Sequence, residues 1–288
     1  MSSLTLSTQA LMTLFTLGTM TASAFCAPLP DRGTMPSPGE PVVSEPAAEE
    51  LPDDWDGADV DEVLTPTVRD LILQSVAIDL DRPVADLRIA AAETATFDGC
   101  MGIYGPDQIC TAIAIFGLRM VVTDGDQSWV YHTRQDGQEV VQNPTASGSR
   151  NGLIPDFIPQ PAAEVEPDSE DYIFRSVESG SLAGYFKETG LLADGRLIQT
   201  ESGTVIAEAR LSAEEVATFQ QVLEDQRFPN LNRLRYVTDA AFADYPTVRL
   251  SARYLETEYI DLALDDAPTA LQAVVQAWGE LVAEAELE

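Results

Sequence analysis

Three stretches of the chain carry apolar residues at the spacing of an α-helix. The first follows Thr65-Pro66, a capping residue and a proline at the first helical position. The second follows Ser212, which forms a capping box with Glu215, and the third follows Pro268. The apolar faces consist of Val68, Leu71, Ile72, Val76 and Leu80, then Val216, Phe219, Val222 and Leu223, then Leu271, Val274, Val275, Trp278, Leu281 and Val282. These patterns predict three amphipathic helices.

Alternation of apolar and polar residues predicts strands in both halves of the chain. In the first half it covers 87–91 and 116–122, and an Asp124-Gly125 turn then leads into Trp129 and Tyr131. In the second half it covers 172–177, 185–189, 196–200, 205–211, 248–254 and 259–265. These elements predict the α+β fold class, with two small domains that each pair an antiparallel sheet with one or two packed helices.

Prolines divide the chain into segments. Seven of them fall between Phe25 and Pro52 and five between Asn143 and Glu170, so 12 of the 18 prolines stand in two stretches. With Ser, Gly and acidic residues around them, these stretches bury too little apolar surface to order themselves. We therefore predict disordered linkers at 25–60 and 143–170. They frame a small α+β module at 61–142 and a second α+β domain at 171–288.

The first 24 residues resemble a secretory signal peptide. Residues 1–27 carry no charge, and 10–24 are apolar or small but too few to span a bilayer. Ala22-Ser23-Ala24 supplies the pattern that a signal peptidase reads, so we expect cleavage before Phe25. The mature chain is then exported to the periplasm or the extracellular space, without a transmembrane segment. A lipid anchor on Cys26 is the less favoured alternative, because Phe25 stands where lipoprotein signals carry a small residue.

The acidic composition narrows the range of partners. The net charge is -32, from 48 acidic and 16 basic residues. A surface of this charge repels nucleic acid phosphates and anionic lipid headgroups, so neither is an expected partner. The charge has two other interpretations, which are solubility or the attraction of a basic or metal-bearing partner.

Two cysteines of the three in the chain are close enough in sequence to pair. After export, Cys100 and Cys110 could close a short loop, which is worth roughly 2 to 3 kcal/mol. The alternative is two buried thiols. The cysteine spacing fits no zinc pattern, since there is no CxxC and only one histidine. We therefore expect neither a metal nor a cofactor.

Nothing in the sequence marks a catalytic site. His132, the only histidine, alternates with Trp129 and Tyr131, which predicts that it lies on the exposed face of a strand. No Gly-x-Ser-x-Gly turn accompanies it, and carboxylates are too common here to single out a pair. A hydrolase would need a deep pocket lined by at least two carboxylates. We therefore expect the protein not to be an enzyme.

The first module contains the run 97–102 (Phe-Asp-Gly-Cys-Met-Gly), the strand 116–122 and the run 129–133 (Trp-Val-Tyr-His-Thr). In these motifs and their order it resembles a small, uncharacterised domain of exported bacterial proteins. The resemblance covers about 64–141. It implies an exported module and carries no known activity.

The second half contains a strand, a small-residue segment at 178–184, and a helix that opens with Leu-Ser-Ala-Glu-Glu at 211–215. Arg227-Phe228-Pro229, two strands and an acidic turn with proline before a closing helix come next. This order resembles the emfourin type of protease inhibitor over nearly all of 172–281. The resemblance implies inhibition of thermolysin-like metallopeptidases.

The resemblance also implies a candidate inhibitory loop, formed by Glu178, Ser179, Gly180, Ser181, Leu182, Ala183 and Gly184. Under this hypothesis the loop enters the protease cleft, and the Glu178 carboxylate approaches the catalytic zinc. Two features depart from the family: Ser181 replaces its second glycine, and the segment 236–246 differs. The remaining glycines also have a purely structural interpretation, because tight turns need positive φ.

A second class of function stays open. The protein could be a cell-envelope binding or scaffold module of unknown ligand that presents strand edges and aromatics such as Trp129 and Tyr131 to another envelope protein or to a polysaccharide. In either case we expect a monomer.

Overall fold

The computed structural model describes residues 60–159, 172–180, 184–238 and 245–285. The predicted signal peptide, Cys26 and the first predicted linker up to residue 59 lie outside this part of the chain. Within the described residues, no helix is both long enough and apolar enough to cross a membrane.

The first module begins with two helices, α1 (Val60–Val63) and α2 (Pro66–Leu80). The helix α2 starts where the sequence predicts, because the Thr65 hydroxyl accepts a hydrogen bond from the amide of Val68, at 3.4 Å. It packs the buried Ile72 and Val76 on an antiparallel sheet. The strands of this sheet, in spatial order, are β1 (Arg88–Phe97), β2 (Ile115–Thr123), β3 (Ser128–Arg134) and β4 (Val141–Asn143).

The second sheet has eight strands, in the spatial order β5-β10-β12-β11-β6-β7-β8-β9. Neighbouring strands are antiparallel except for β10 and β12, which are parallel. The strand bounds are β5 (Asp156–Phe157), β6 (Tyr172–Gly180), β7 (Tyr185–Leu192), β8 (Arg196–Glu201), β9 (Thr204–Arg210), β10 (Leu234–Tyr236), β11 (Thr247–Ala252) and β12 (Leu255–Tyr259). The predicted α+β fold class is confirmed.

Helices cover one face of the second sheet. They are α3 (Ala213–Asp225), the short α4 (Asp261–Leu264) and α5 (Thr269–Glu284). The predicted capping box is present at the start of α3, where Ser212 and Glu215 bond each other's backbone amides. Phe174 lies at the centre of the core, with its ring 5.0 Å from the rings of Phe219 and Trp278. Burial of each such side chain stabilises the fold by roughly 1.5 to 3 kcal/mol.

The structure differs from the prediction after Tyr259. The sequence predicts a strand at 259–265, whereas β12 ends at Tyr259 and the single turn of α4 follows. Ile260 and Ala263 are both buried, and they are three residues apart. A spacing of three residues is typical of a helix. In so short a segment, the sequence pattern alone does not distinguish a helical turn from a strand.

The second predicted linker is ordered over 143–159. Phe157 in β5 pairs with Leu234 in β10, and the Tyr236 hydroxyl donates a hydrogen bond to the carbonyl of Ala146, at 3.2 Å. The buried apolar residues of this segment are Ala146, Leu153, Phe157 and Ile158. These residues lie between the prolines, and their burial anchors the segment. A count of prolines does not show this anchoring. The rest of this predicted linker, from 160 to 170, lies outside the described residues.

The second sheet includes β5 from the predicted linker, and the two sheets belong to one compact unit that spans Pro52–Glu288. Glu93 in the first sheet forms ion pairs with Arg119 and with Arg233, which precedes β10. The Asn143 side chain donates to the carbonyl of Asn230, at 2.8 Å. These buried polar contacts fix the two sheets relative to each other.

Candidate functional site

The candidate inhibitory loop lies at the end of the β6–β7 hairpin. Glu178, Ser179 and Gly180 are the last residues of β6, and Gly184 directly precedes β7. Ser181, Leu182 and Ala183 lie outside the described residues. On their outer sides, β6 pairs with β11 and β7 pairs with β8. The stem of this hairpin is therefore held in the interior of the sheet.

Both glycines that flank the loop have backbone angles that favour glycine. Gly180 has φ 132°, and a Cβ there would lie 3.1 Å from the Cα of Pro246. Gly184 has φ 67°, with open space around it. A side chain at either position would strain the backbone, so glycine is favoured at both ends of the hairpin stem.

Two neighbouring segments lie at the same end of the sheet. The β8–β9 turn is joined to β7 by a hydrogen bond from the Ser202 amide to the Phe186 carbonyl, at 2.9 Å. The exposed Tyr245 lies directly before the residue that contacts Gly180. We name the surface made by Gly180, Gly184, Phe186, Ser202 and Tyr245 the tip surface. It combines small, polar and exposed aromatic residues.

A polar zone lies beneath the tip surface, on the helix-facing side of the sheet. In the core, Phe174, Leu191 and Leu197 fill this side of β6, β7 and β8 and are fully buried. Two positions nearer the tip surface, the three strands carry polar residues instead. The first cross-strand row is Ser176, Thr189 and Gln199, and the second is Glu178, Lys187 and Glu201.

A pocket of about 340 Å³ opens over this zone. Its floor is polar, and the helix α5 provides an apolar wall on the opposite side. We name it the hairpin pocket. It is lined by Ser176, Glu178, Lys187, Thr189, Gln199, Val248, Tyr259, Asp261, Trp278, Gly279, Val282 and Ala283.

The hairpin pocket contains charges of both signs. Lys187 is the only lysine of the chain. It lines the pocket together with the carboxylates of Glu178 and Asp261. Among the described residues, no ion pair involves any of these three side chains. Burial raises the pKa of the Tyr259 hydroxyl above its usual value, and the charges of Asp261 and Glu178 raise it further. Tyr259 is therefore neutral and can donate a hydrogen bond.

The structure contains a disulfide bond between Cys100 and Cys110, with a Cα–Cα distance of 5.3 Å. The Asp98 carboxylate accepts hydrogen bonds from the amides of Cys100 and Gly102, at 3.0 and 3.3 Å. Asp98 lies near both sulfurs. Because the sulfurs are bonded to each other, they are not available as thiolate ligands for a metal.

The expectation that His132 is exposed is wrong. Its exposed fraction is 3%, because the disulfide loop covers this face of β3. Its Nδ1 lies 2.6 Å from the carbonyl oxygen of Met101, and its ring stacks on Phe97 with centroids 4.9 Å apart. Burial lowers the pKa of His132 to about 4. The imidazole is thus a neutral core group at pH 7.

Trp129 and Tyr131 are also buried, which contradicts the expectation that they face a partner. Tyr131 donates a hydrogen bond from its hydroxyl to Asp79 on α2, at 2.8 Å. The Arg82 guanidinium lies 5.2 Å from the centre of the Trp129 ring. Both aromatics therefore belong to the packing between α2 and the first sheet.

The hairpin pocket is not apparent from the sequence. Lys187, Tyr259 and Asp261 do not stand out, because Lys187 is 72 positions from Tyr259 and 74 from Asp261 in the chain. A signal was present: β6, β7 and β8 each change from apolar to polar at helix-facing positions. That change becomes visible only when the register between the strands is known.

Comparison with known proteins gives one match. Residues 70–142 match the model of a family described as a domain of unknown function, DUF8738. The match covers a quarter of the chain, from α2 to β4. No curated protein and no solved structure matches the chain. The hairpin pocket and the tip surface both lie outside the matched residues.

Proposed function

We propose that the protein is an exported, non-enzymatic inhibitor of a thermolysin-like metallopeptidase, and that the tip surface binds the enzyme. The observation that carries the proposal is the hairpin between Glu178 and Gly184, whose stem is paired on both sides and whose ends are set by two glycines. The resemblance of the second half to emfourin-type inhibitors also supports the assignment of inhibition to this hairpin.

A hairpin stem that is held in place suits inhibition for a physical reason. Binding costs less free energy when fewer residues of the binding segment must be ordered. The pairing of Ser179 with Thr247 and the hydrogen bond from Ser202 to Phe186 hold the base of the loop from two sides. The exposed rings of Phe186 and Tyr245 supply apolar contact area beside it.

Glu178 has a different place in this proposal from the one the sequence suggests. Its side chain lines the hairpin pocket, on the helix-facing side of the sheet. The proposal therefore assigns enzyme contact to the tip surface and does not rely on a bond between Glu178 and zinc.

The test is a titration of thermolysin with the full chain at micromolar ratios. We expect loss of peptidase activity with the natural chain, and at least tenfold weaker inhibition with Gly184→Val or Tyr245→Ser. The matched control is Tyr254→Ser, which removes an exposed tyrosine from the β11–β12 turn at the opposite end of the sheet. Unchanged thermolysin activity, or equal inhibition by all variants, would discard the proposal.

One observation favours the second candidate, an envelope binding or scaffold module. Within the described residues, β9 pairs only with β8, so its outer edge is open. Val205 and Ile206 on this strand are 52% and 50% exposed. An open edge with apolar side chains can accept an extended segment of another protein.

A pull-down from envelope extract separates the two candidates. Under the inhibitor proposal, the natural chain recovers a peptidase, and Tyr245→Ser loses it. Under the alternative, the chain recovers a wall or scaffold component, and Ile206→Lys loses that component while Tyr245→Ser keeps it.

A further inference from the structure

We propose that the hairpin pocket binds a small zwitterion, which carries a primary ammonium and a carboxylate as a free amino acid or a short peptide does. The inference goes beyond protease inhibition and does not depend on it. It rests on the residues of the pocket floor, on the three charges and on a glycine in the wall.

The floor contains polar groups that can be reached from the pocket. The exposed fractions of Thr189 and Gln199 are 6% and 9%, and both line the pocket. Among the described residues, no hydrogen bond involves the Thr189 hydroxyl or the Gln199 amide group, whereas Ser176 accepts one from the Trp278 indole, at 2.9 Å. Neither residue has a fully buried polar atom without a partner, so their polar atoms remain accessible from the pocket. Donors and acceptors directed into a pocket are therefore available for a polar ligand.

The charges specify the ends of that ligand. Lys187 can pair with a carboxylate, and Glu178 and Asp261 can pair with an ammonium group. Tyr259, which is neutral, can donate a hydrogen bond beside them. An uncharged ligand such as a monosaccharide would form no ion pair with any of the three charges, so the pocket favours a zwitterion.

The wall is apolar and leaves room for a side chain. Trp278 and Val282 on α5 provide apolar surface opposite the charged groups. Gly279 lies in the middle of α5, and a Cβ placed on it would meet nothing within 4 Å. Glycine weakens a helix interior, and neither its φ nor a close contact requires it at this position. Gly279 is exposed at the helix side of the pocket, where it adds no side chain to the wall.

The test is calorimetric titration of the full chain with four probes: leucine, glycyl-leucine, leucinamide and N-acetyl-leucine. We expect leucine or the dipeptide to bind, and leucinamide and N-acetyl-leucine to bind at least tenfold more weakly than that zwitterion. Comparison of leucine with glycyl-leucine distinguishes a free amino acid from a peptide. Failure of both zwitterions to bind, or equal binding of all four probes, would overturn the proposal.

Two variants and a control locate the binding. Gly279→Leu fills the pocket and should abolish binding of the zwitterion, while its unfolding temperature stays at or above that of the natural chain. Lys187→Met should weaken the binding of leucine at least tenfold and leave the binding of leucinamide unchanged. The control Arg134→Gln removes one positive charge from the first sheet and should change neither. If Gly279→Leu binds leucine as tightly as the natural chain does, the ligand binds elsewhere and the inference is refuted. Inhibition of a peptidase by Gly279→Leu tests the proposed function separately.

Discussion

The side chain of Asn230 holds the backbone of Tyr104, which is 126 residues away in the chain. Its Oδ1 accepts from the Tyr104 amide at 2.8 Å, and its Nδ2 donates to the Tyr104 carbonyl at 3.1 Å. The same Nδ2 lies 3.1 Å from the hydroxyl oxygen of Thr145. One buried amide thus connects the disulfide loop, the segment after β4 and the second half of the protein.

We expect Asn230→Ala to lower the free energy of unfolding by about 2 to 4 kcal/mol, because it leaves the Tyr104 amide and carbonyl without this partner. Urea unfolding measures the loss. The control is Gln276→Ala, which removes one exposed hydrogen bond to Glu280 on α5 and should cost less than about 1 kcal/mol. Equal losses for the two variants would contradict the role of Asn230.

We expect removal of the disulfide to cost about 2 to 3 kcal/mol, because an open ten-residue loop has more conformational freedom in the unfolded chain. The measurement compares urea unfolding of the natural chain with that of the double variant Cys100→Ser, Cys110→Ser. The same comparison under reducing conditions is the control, since the difference should then nearly disappear. A double variant as stable as the oxidised natural chain would refute the prediction.

The pKa of His132 predicts a pH dependence of stability. Burial lowers this pKa from 6.5 to about 4 in the folded protein, so folding favours the neutral imidazole. The contribution is complete above about pH 6.5 and is lost as the pH falls towards 4, with a total of about 3 kcal/mol. His132→Gln, which does not titrate, should lose less stability over this range than the natural chain. NMR titration of the single imidazole gives a direct check, and a midpoint near 6.5 would be incompatible with its burial.

Glu93 is expected to stabilise the contact between the two sheets. Its carboxylate pairs with Arg119 and Arg233, and all three side chains are largely buried. Glu93→Gln leaves two buried cations without a counter-charge and should cost about 3 kcal/mol. Glu139→Gln removes the partner of Arg134 from an exposed pair and should cost less than about 1 kcal/mol. Thermal unfolding of both variants tests the difference.

Local patterns predicted the local elements. The capping residues Thr65 and Ser212 mark helix starts in the structure, and the Asp124-Gly125 turn joins β2 to β3. These signals act within a few residues, so the sequence alone contains them.

Long-range packing accounts for what the sequence did not reveal. His132 alternates as an exposed strand residue does, but a loop from another part of the first module covers it. The hairpin pocket needs Lys187 and Asp261 together, and only the order of the strands in the sheet places them near each other. No spacing within one element predicts either relationship.

The strand β5 has a consequence for experiments on separate halves of the protein. It lies at the edge of the second sheet, yet it comes from the segment before residue 160. A fragment that begins at residue 171 would lack Phe157 and Ile158 and would leave one side of β10 unpaired. Such a fragment would be prone to self-association through that edge, so its behaviour would describe a damaged sheet and not the natural second half.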